Sequence, residues 1–416
     1  MAPKSTQFPQ TLTLIPGLPN DISVIILSYI PYCYQTRAKQ TCKSWRHFYT
    51  FSQTLIFTLR KNPQFRKPNS TLLCIFPEDP SLSPPYIFDP THLAWAPIPR
   101  TPVNPHAYSL SNFSAISVGP YLYVLGGSLF DTRSFPLDRP TASSAVFRFD
   151  FRFAGEGWRS VSPMITARGS FAAAAAGDGG GIVVAGGGSR HPMFGAAGSR
   201  VGRAERYDVG RDEWVSVAEM PGYRAGCAGF MVRKGKGLEE EFWVMGGYSG
   251  STTILGVLPV DEQCRDSVVL DLGSGEWRAV GDMWGDGQRG RLGKVAVVEE
   301  EDGVGLPEVF MLDENHDICR FSMALNCWFK ETTVPRKNPD GSSFGFVAIQ
   351  GELHVISLLQ GVELSDIRRS RRRKRGTALS MQIYNPKKKS WRTLVTRTPF
   401  HCPLDFKTAV MCTIRL

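Results

Sequence analysis

Hydrophobic and polar positions follow two different rhythms along the 416 residues. Near the amino terminus Ile22, Ile25, Ile26, Tyr29 and Ile30 recur at the i, i+3, i+4, i+7, i+8 spacing of one helix face. Asn20 or Asp21 suits the N-cap of this segment, and Pro31 its stop. The β-branched run SVIILSYI would also suit a sheet, and the next stretch decides between the two. There Ala38, Cys42, Trp45 and Tyr49 form a second one-sided stripe, with Arg37, Lys39, Lys43 and Arg46 outside it. Two or three short helices between Leu14 and about Phe51 are predicted. A bundle this small cannot hide Ile22, Ile25, Ile26, Leu27, Ile30 and Trp45 all within itself, so part of the stripe is expected to face a partner.

From Thr71 onward short apolar runs are separated by Gly, Pro, Ser and Asp, the texture of an all-β region with many turns. Three runs end in glycine pairs sixty positions apart: Gly126-Gly127, Gly186-Gly187 and Gly246-Gly247. Each pair is followed by a variable segment, a strand ending in Asp, and a tryptophan: VFRFD with Trp158, AERYD with Trp214, VVLD with Trp277. Degenerate copies follow, VFMLDEN with ICRFS and Trp328, and LHVISLL with MQIYNP and Trp391; an earlier one is LLCIF with YIFDP and Trp95. Six units result. Other units start with an extra strand such as FSAISV at Phe113, whereas the first has none before Thr71. The chain ends in the alternating FKTAVMCTIRL, Phe406 to Leu416, which is predicted to pair into the first unit.

The stretch LPNDI, then Leu27, Ile30-Pro31 and CKSW at Cys42 to Trp45, resembles the F-box, the motif that docks substrate-recruiting proteins onto the Skp1 adaptor of cullin-based ubiquitin ligases. Cys42 stands where an aliphatic residue is usual. The glycine-pair units resemble the kelch repeat, which builds one four-stranded blade of a β-propeller. The order of the two resembles plant F-box/kelch-repeat proteins. The fold this implies is a small all-α N-terminal F-box (14–60), a linker (61–70) and an all-β six-bladed kelch-type β-propeller (71–416) whose C-terminal strand closes the first blade. Skp1-binding positions carried over by motif are Leu18, Pro19, Ile22, Leu27, Ile30, Pro31, Cys42 and Trp45. The glycine pairs would lie at inner-strand ends where a Cβ clashes or φ is forbidden, and the repeated Tyr/Phe and Trp would pack between blades. The implied role is that of a non-catalytic substrate-recognition subunit of an SCF-type E3 ligase, with a Skp1-like adaptor, through it a cullin, and a target protein as partners.

The segments after the glycine pairs, Ser128 to Ser144, Gly188 to Gly202 and Tyr248 to Arg265, and Gln360 to Leu379 in the last unit, are far longer than hairpin turns. Sharing one place in each unit, they are expected on one face. Aromatic and arginine anchors there make Phe130, Arg133, Phe135, Arg190, His191, Met193, Phe194, Tyr248 and Arg265 the candidates for target contact.

Composition narrows the alternatives. The net charge of +10 owes seven charges to one block, Arg368, Arg369, Arg371, Arg372, Arg373, Lys374 and Arg375, leaving +3 elsewhere. That is no interleaved basic and aromatic groove, so nucleic acid is not expected as a partner. The block reads as a nuclear-import run, a patch for an acidic partner or a solvated loop, and the cytoplasm and/or nucleus is the expected location. No window approaches the run of about eighteen apolar residues a membrane helix needs. The two sequons, at Asn69 and Asn112, read as unused because MAPKSTQFPQTLTLIPG lacks a signal peptide's apolar stretch. Nine scattered cysteines without close pairs or histidines at ligand spacing suit a reducing compartment and give no metal site. GDGGGIVVAGGGSR has no following Gly-Lys-Ser/Thr, and no Ser-His-Asp or Cys-His context is present, so neither a cofactor nor catalysis is expected. A kelch scaffold outside any ligase and a propeller enzyme remain the alternative readings.

Overall fold

The computed structural model describes residues 13–61, 71–77, 84–102, 108–131, 141–177, 180–189, 199–234, 239–254, 258–285, 290–299, 306–335, 343–359, 378–400 and 404–416. The linker read at 61–70 lies outside them from residue 62 onward.

Four short helices come first: α1 (Asn20–Ser28), α2 (Tyr32–Ala38), α3 (Lys43–Phe51) and α4 (Gln53–Lys61). Their ends differ from the sequence reading. Pro19 is the N-cap of α1 and offers no side-chain bond, while the Asn20 Oδ1 accepts from the Leu14 N–H at 3.1 Å. α1 ends at Ser28, and Pro31 caps the start of α2. The stripe drawn from Ala38 to Tyr49 is broken at Cys42, which is exposed and N-caps α3, its Sγ accepting from the Trp45 N–H at 3.4 Å. α4 follows after a one-residue break at Ser52 and serves two neighbours. Its Ile56 joins Leu14, Val24, Leu27, Ala38, Phe48 and Tyr49 in the helical core. Its Phe57 packs instead with residues of the β region.

The β region contains, among the described residues, six four-stranded antiparallel sheets and two smaller ones. The first sheet joins both ends of the region, with Val410–Arg415 paired to Thr71–Phe76, then Tyr86–Asp89 and Ala94–Pro97. The other five each use four strands in chain order from the inner edge: Ser114–Val118 to Trp158–Val161, Ala172–Ala176 to Glu213–Val217, Ala228–Lys234 to Trp277–Asp282, Lys294–Val298 to Cys327–Thr333, and Gly345–Ile349 to Ser390–Arg397.

Strand periodicity explains why the second strands read as unbroken apolar runs: successive side chains point to opposite faces, and both faces are buried. Leu122 and Val124 pack with Leu72 and Phe76 of the first sheet, whereas Tyr123 and Leu125 pack with Ile182 and Val184 of the third. The pattern continues through Val183 with Phe242 and Val244, Trp243 and Met245 with Val309 and Met311, and Phe310 and Leu312 with Leu353 and Val355. Finally Ile356 and Met381 of the sixth sheet pack with Leu73 and Ile75 of the first.

The repeated signature has a physical role at each position. The tryptophan lies directly across from the aromatic or leucine of the third strand: Phe88↔Trp95, Phe149↔Trp158, Tyr207↔Trp214, Leu270↔Trp277, Phe321↔Trp328 and Tyr384↔Trp391. The following polar residue builds the turn between them. Asp208 Oδ1 accepts from the Gly210 and Arg211 N–H groups at 2.8 and 3.0 Å, and Asp271 Oδ1 accepts likewise from Gly273 and Ser274. In five of the six sheets the indole N–H then ties the sheet to the end of the preceding one, whereas the buried Trp328 Nε1 of the fifth has no partner among the described residues. Trp158 donates to Pro99 O (2.7 Å), Trp214 to Ser162 O (2.9 Å), Trp277 to Ala218 O (2.7 Å) and Trp391 to Thr332 Oγ1 (3.2 Å). In the first sheet Trp95 reaches Thr396 Oγ1 of the sixth at 3.2 Å.

One buried base gives a pH test. His354, on the second strand of the sixth sheet, is 2% exposed, and its Nδ1 has no partner among the described residues. Burial pulls its pKa from 6.5 down to about 4, with the Glu352 carboxylate opposing the shift and the Arg392 guanidinium adding to it. The neutral ring's contribution is therefore complete above pH 6.5 and is lost as pH falls toward 4, a loss of about 3 kcal/mol. Urea unfolding of H354L should lack that part of the acid destabilisation seen in the wild type; parallel pH profiles would contradict the assignment.

Candidate partner-binding surfaces

The helices sit at one end of the sheets. In an antiparallel four-stranded sheet the turns after the first and third strands share an end, and the connections after the second and fourth share the other. α2 meets the turn after a third strand: the Tyr34 OH donates to His92 O at 3.1 Å, and the Cys33 thiol donates to Ile87 O at 3.9 Å. Tyr32 packs edge-on against Phe151 with centroids 5.2 Å apart, and α4 lies on the 3-10 turn Phe151–Glu156 that follows the third strand of the second sheet. A cavity of about 480 Å³ opens at this same end and is lined from all six sheets, by Thr413, Ser117, Ala175, Arg233, Val297 and Ala348 among others.

The helical bundle divides the motif residues into supports and surface. Leu27, read from the motif as a binding position, is buried in the helical core, where it holds α1 in place. Trp45 and Ile30 are half-buried against the same core, and the Trp45 indole N–H donates to Leu14 O at 2.8 Å. Tyr49 OH donates to Leu27 O at 2.9 Å, and burial raises its pKa. Arg60 closes the end of α1, its Nε and Nη2 donating to Ser28 O and Ile30 O at 2.9 and 2.6 Å; burial lowers its pKa. Pro31 is half-buried, and the exposed Cys42 uses its sulfur as a cap.

With that core satisfied, Leu18 (39% exposed), Ile22 (43%) and Ile26 (44%) remain bare, beside the exposed Pro19. Ile22 and Ile26 are i, i+4 neighbours on one face of α1. Ile26 belongs to the apolar stripe but not to the motif positions. Phe51 and Leu55, also exposed, were missed because neither continues a single-faced pattern.

The other end of the sheets carries the glycine pairs. Gly126 has φ +55°, and a Cβ there would lie 2.4 Å from Arg168 O; at Gly247, φ +92°, it would lie 2.6 Å from Ala225 O. The Gly127 and Gly187 N–H groups donate to Arg168 O and Arg224 O, both at 2.8 Å. The pairs thus end the second strands where the next sheet's entry loop crosses. Beyond them the backbone restarts in a second tier. Ser128–Asp131 runs between Tyr108–Ser111 and Thr141–Ala142, Gly188 bridges Gly169 and Arg200, and Tyr248–Ile254 pairs with Leu258–Gln263.

The candidate target-contact residues fare unevenly. Arg133, Phe135, Arg190, His191, Met193 and Phe194, and the run Arg368 to Arg375, lie outside the described residues. Phe130 is in the strand Ser128–Asp131. Tyr248 is 6% exposed with the Arg200 guanidinium 4.3 Å from its ring centroid, so it anchors the second tier and is not an open contact. Arg265 donates from Nε to Asp282 Oδ2 at 2.7 Å.

Sequence reasoning also missed the buried pair beneath this end. Arg168 is fully buried and paired with Glu205, and its Nη1 donates to Gly186 O and Arg203 O at 2.8 Å each. Glu205 accepts in turn from the Ile165 and Thr166 N–H groups at 2.8 and 3.0 Å. A signal existed: Arg168 and Arg224 each follow their unit's tryptophan, Trp158 and Trp214, by ten positions.

Comparison with known proteins agrees with this two-part layout. The F-box domain family matches residues 15–48. The F-box/kelch-repeat protein OR23 of Arabidopsis thaliana is 52% identical over 417 residues, covering 98% of this chain and 92% of that protein. The chain belongs to the F-box/kelch-repeat proteins. More distant relatives from the same plant are the F-box/kelch-repeat proteins At2g44130, 25% identical with 68% of each chain covered, and At1g16250, 25% identical over 53% of this chain and 54% of the other. The F-box match spans α1 and α2 and most of α3, ending at Phe48; the kelch region follows it as a mostly β domain.

Proposed function

We propose that this F-box/kelch-repeat protein is the substrate-recognition subunit of an SCF-type ubiquitin ligase. Its F-box binds a Skp1-like adaptor, which links it to a cullin, and its kelch region holds a target protein. The observation that carries this reading is the bare apolar stripe of Leu18, Ile22 and Ile26, left exposed inside the F-box segment after the helical core is complete.

In the same reading the six sheets are blades of a closed propeller spanning about 71–416, with 14–60 as the F-box domain and 61–70 as linker. Closure is supported by the shared core of the sixth and first sheets, the Trp95 to Thr396 bond and the cavity lined from all six sheets. The adaptor and the target then occupy opposite ends, because the long connections leave from the glycine-pair end and the helices dock at the other. The protein forms no bonds itself. It accelerates transfer by raising the local concentration of target lysines near an enzyme carried elsewhere in the complex. We place it in the cytoplasm and/or nucleus.

Ile22→Asp with Ile26→Asp is the test. Both side chains are exposed, so the variant should melt like the wild type yet fail to co-purify with a Skp1-like adaptor. An adaptor that binds wild type and variant equally would remove α1 from the interface.

A further inference from the structure

Two cysteines face each other at the one sheet whose strands come from both ends of the β region. Cys74 and Cys412 are direct cross-strand partners in the pairing of Thr71–Phe76 with Val410–Arg415. Residues directly opposed in an antiparallel pair have Cα atoms about 4.5–5.5 Å apart, inside the range of roughly 4.4–6.8 Å that a disulfide spans. Both cysteines are free. Cys74 is completely buried and Cys412 is partly exposed.

We propose that Cys74 and Cys412 form an oxidant-set latch, a disulfide that bolts the C-terminal strand to the first sheet. With hydrogen peroxide as oxidant, the Cys412 sulfur attacks one peroxide oxygen, the O–O bond breaks and the thiol proton leaves with the departing hydroxide as water. Cys412 becomes a sulfenic acid. The Cys74 sulfur then attacks the sulfenic sulfur, and its proton and the hydroxyl leave as a second water. Two thiols give up two electrons to one peroxide, yielding one disulfide and two waters. The order follows from access, since an oxidant meets Cys412 before Cys74. Hydrogen bonding to Cys412 and burial hold the Cys74 thiol well above its ordinary pKa, so Cys74 is a poor first target and the pair stays reduced without an oxidant.

Position gives the latch its consequence. The other four-stranded sheets each draw their strands from one stretch of the chain, while the first pairs Val410–Arg415 from one end of the β region with Thr71–Phe76 from the other. A covalent bond there makes the lifetime of the folded β region depend on redox state. A third thiol, Cys33, is close by: it donates to Ile87 O, and Ile87 is the partner of Cys74 on the other side. Pairing of Cys74 with Cys33 is therefore the competing product.

The test uses the full chain treated with hydrogen peroxide, followed by thiol blocking, digestion without reductant and mass spectrometry, with thermal melting in parallel. The expected product is a peptide pair joining Cys74 to Cys412. The melting midpoint should rise by roughly 5 °C and return on adding dithiothreitol, and C412S should show neither change. Recovery of Cys412 as a sulfinic acid with Cys74 still alkylatable, a Cys74–Cys33 link, or a linked protein that melts no higher would each overturn the latch. Because peptide mapping is done on the wild type, the outcome does not depend on how well C412S folds.

Discussion

A chain cut after Phe406 should lose the cooperative fold of its β region. The last ten residues supply the strand Val410–Arg415, whose pairing with Thr71–Phe76 runs over six residue pairs from Thr71↔Arg415 to Phe76↔Val410. They also bring Ile414 and Leu416 into the core shared by the first and second sheets. Burying those two side chains is worth roughly 3–6 kcal/mol, and the lost ladder adds several hydrogen bonds at about 1 kcal/mol each. A domain's total stability is only about 5–15 kcal/mol, so the loss is of the same size as the whole. Removing the strand also bares Leu72, Leu73, Cys74 and Ile75, all completely buried, as an open apolar edge suited to aggregation. Thermal melting by circular dichroism is the check. A truncated chain that melts cooperatively at the full-length midpoint would show that the strand is an accessory.

Replacing Arg168 should come next in severity. R168L leaves the Glu205 carboxylate buried without its cation, and breaking such a pair from one side costs about 3–5 kcal/mol. R168L with Glu205→Leu should recover part of that loss, because no unpaired charge remains. Arg224 gives an internal comparison. It occupies the matching place one unit later, but its partner Asp266 is 38% exposed and the bond is 3.2 Å long. Water can resolvate that carboxylate, so R224L should cost clearly less. Urea denaturation of the three variants beside the wild type measures the order, and equal losses for R168L and R224L would contradict the role given to burial.

What could be read from the sequence is what recurs. The glycine pairs, the tryptophans and the Asp-ended strands answer one geometric demand several times over, so spacing alone exposes six units, and each tryptophan proves to face its third-strand partner. The terminal strand was legible because FKTAVMCTIRL alternates. Features that serve two masters were not legible. α4 sends Ile56 into the helical core and Phe57 toward the sheets, which erases a one-sided stripe. Leu27 and Ile22 look alike in the motif, yet one is in the core and the other bare, since a helix of nine residues divides its apolar positions among several neighbours. Tyr248 resembles a contact residue, but Arg200 and the second tier bury it. The Arg168–Glu205 pair joins residues 37 positions apart, and neither charge announces its partner in the sequence.

Hydrogen exchange of the full chain with and without a purified Skp1-like adaptor decides whether α1 is the adaptor-binding surface. Binding should slow exchange across Leu18 to Ser28 while the strands beyond the glycine pairs, Ser128–Asp131 and Tyr248–Ile254, exchange as before. Protection at those strands with none on α1, or no binding at all, would contradict that assignment.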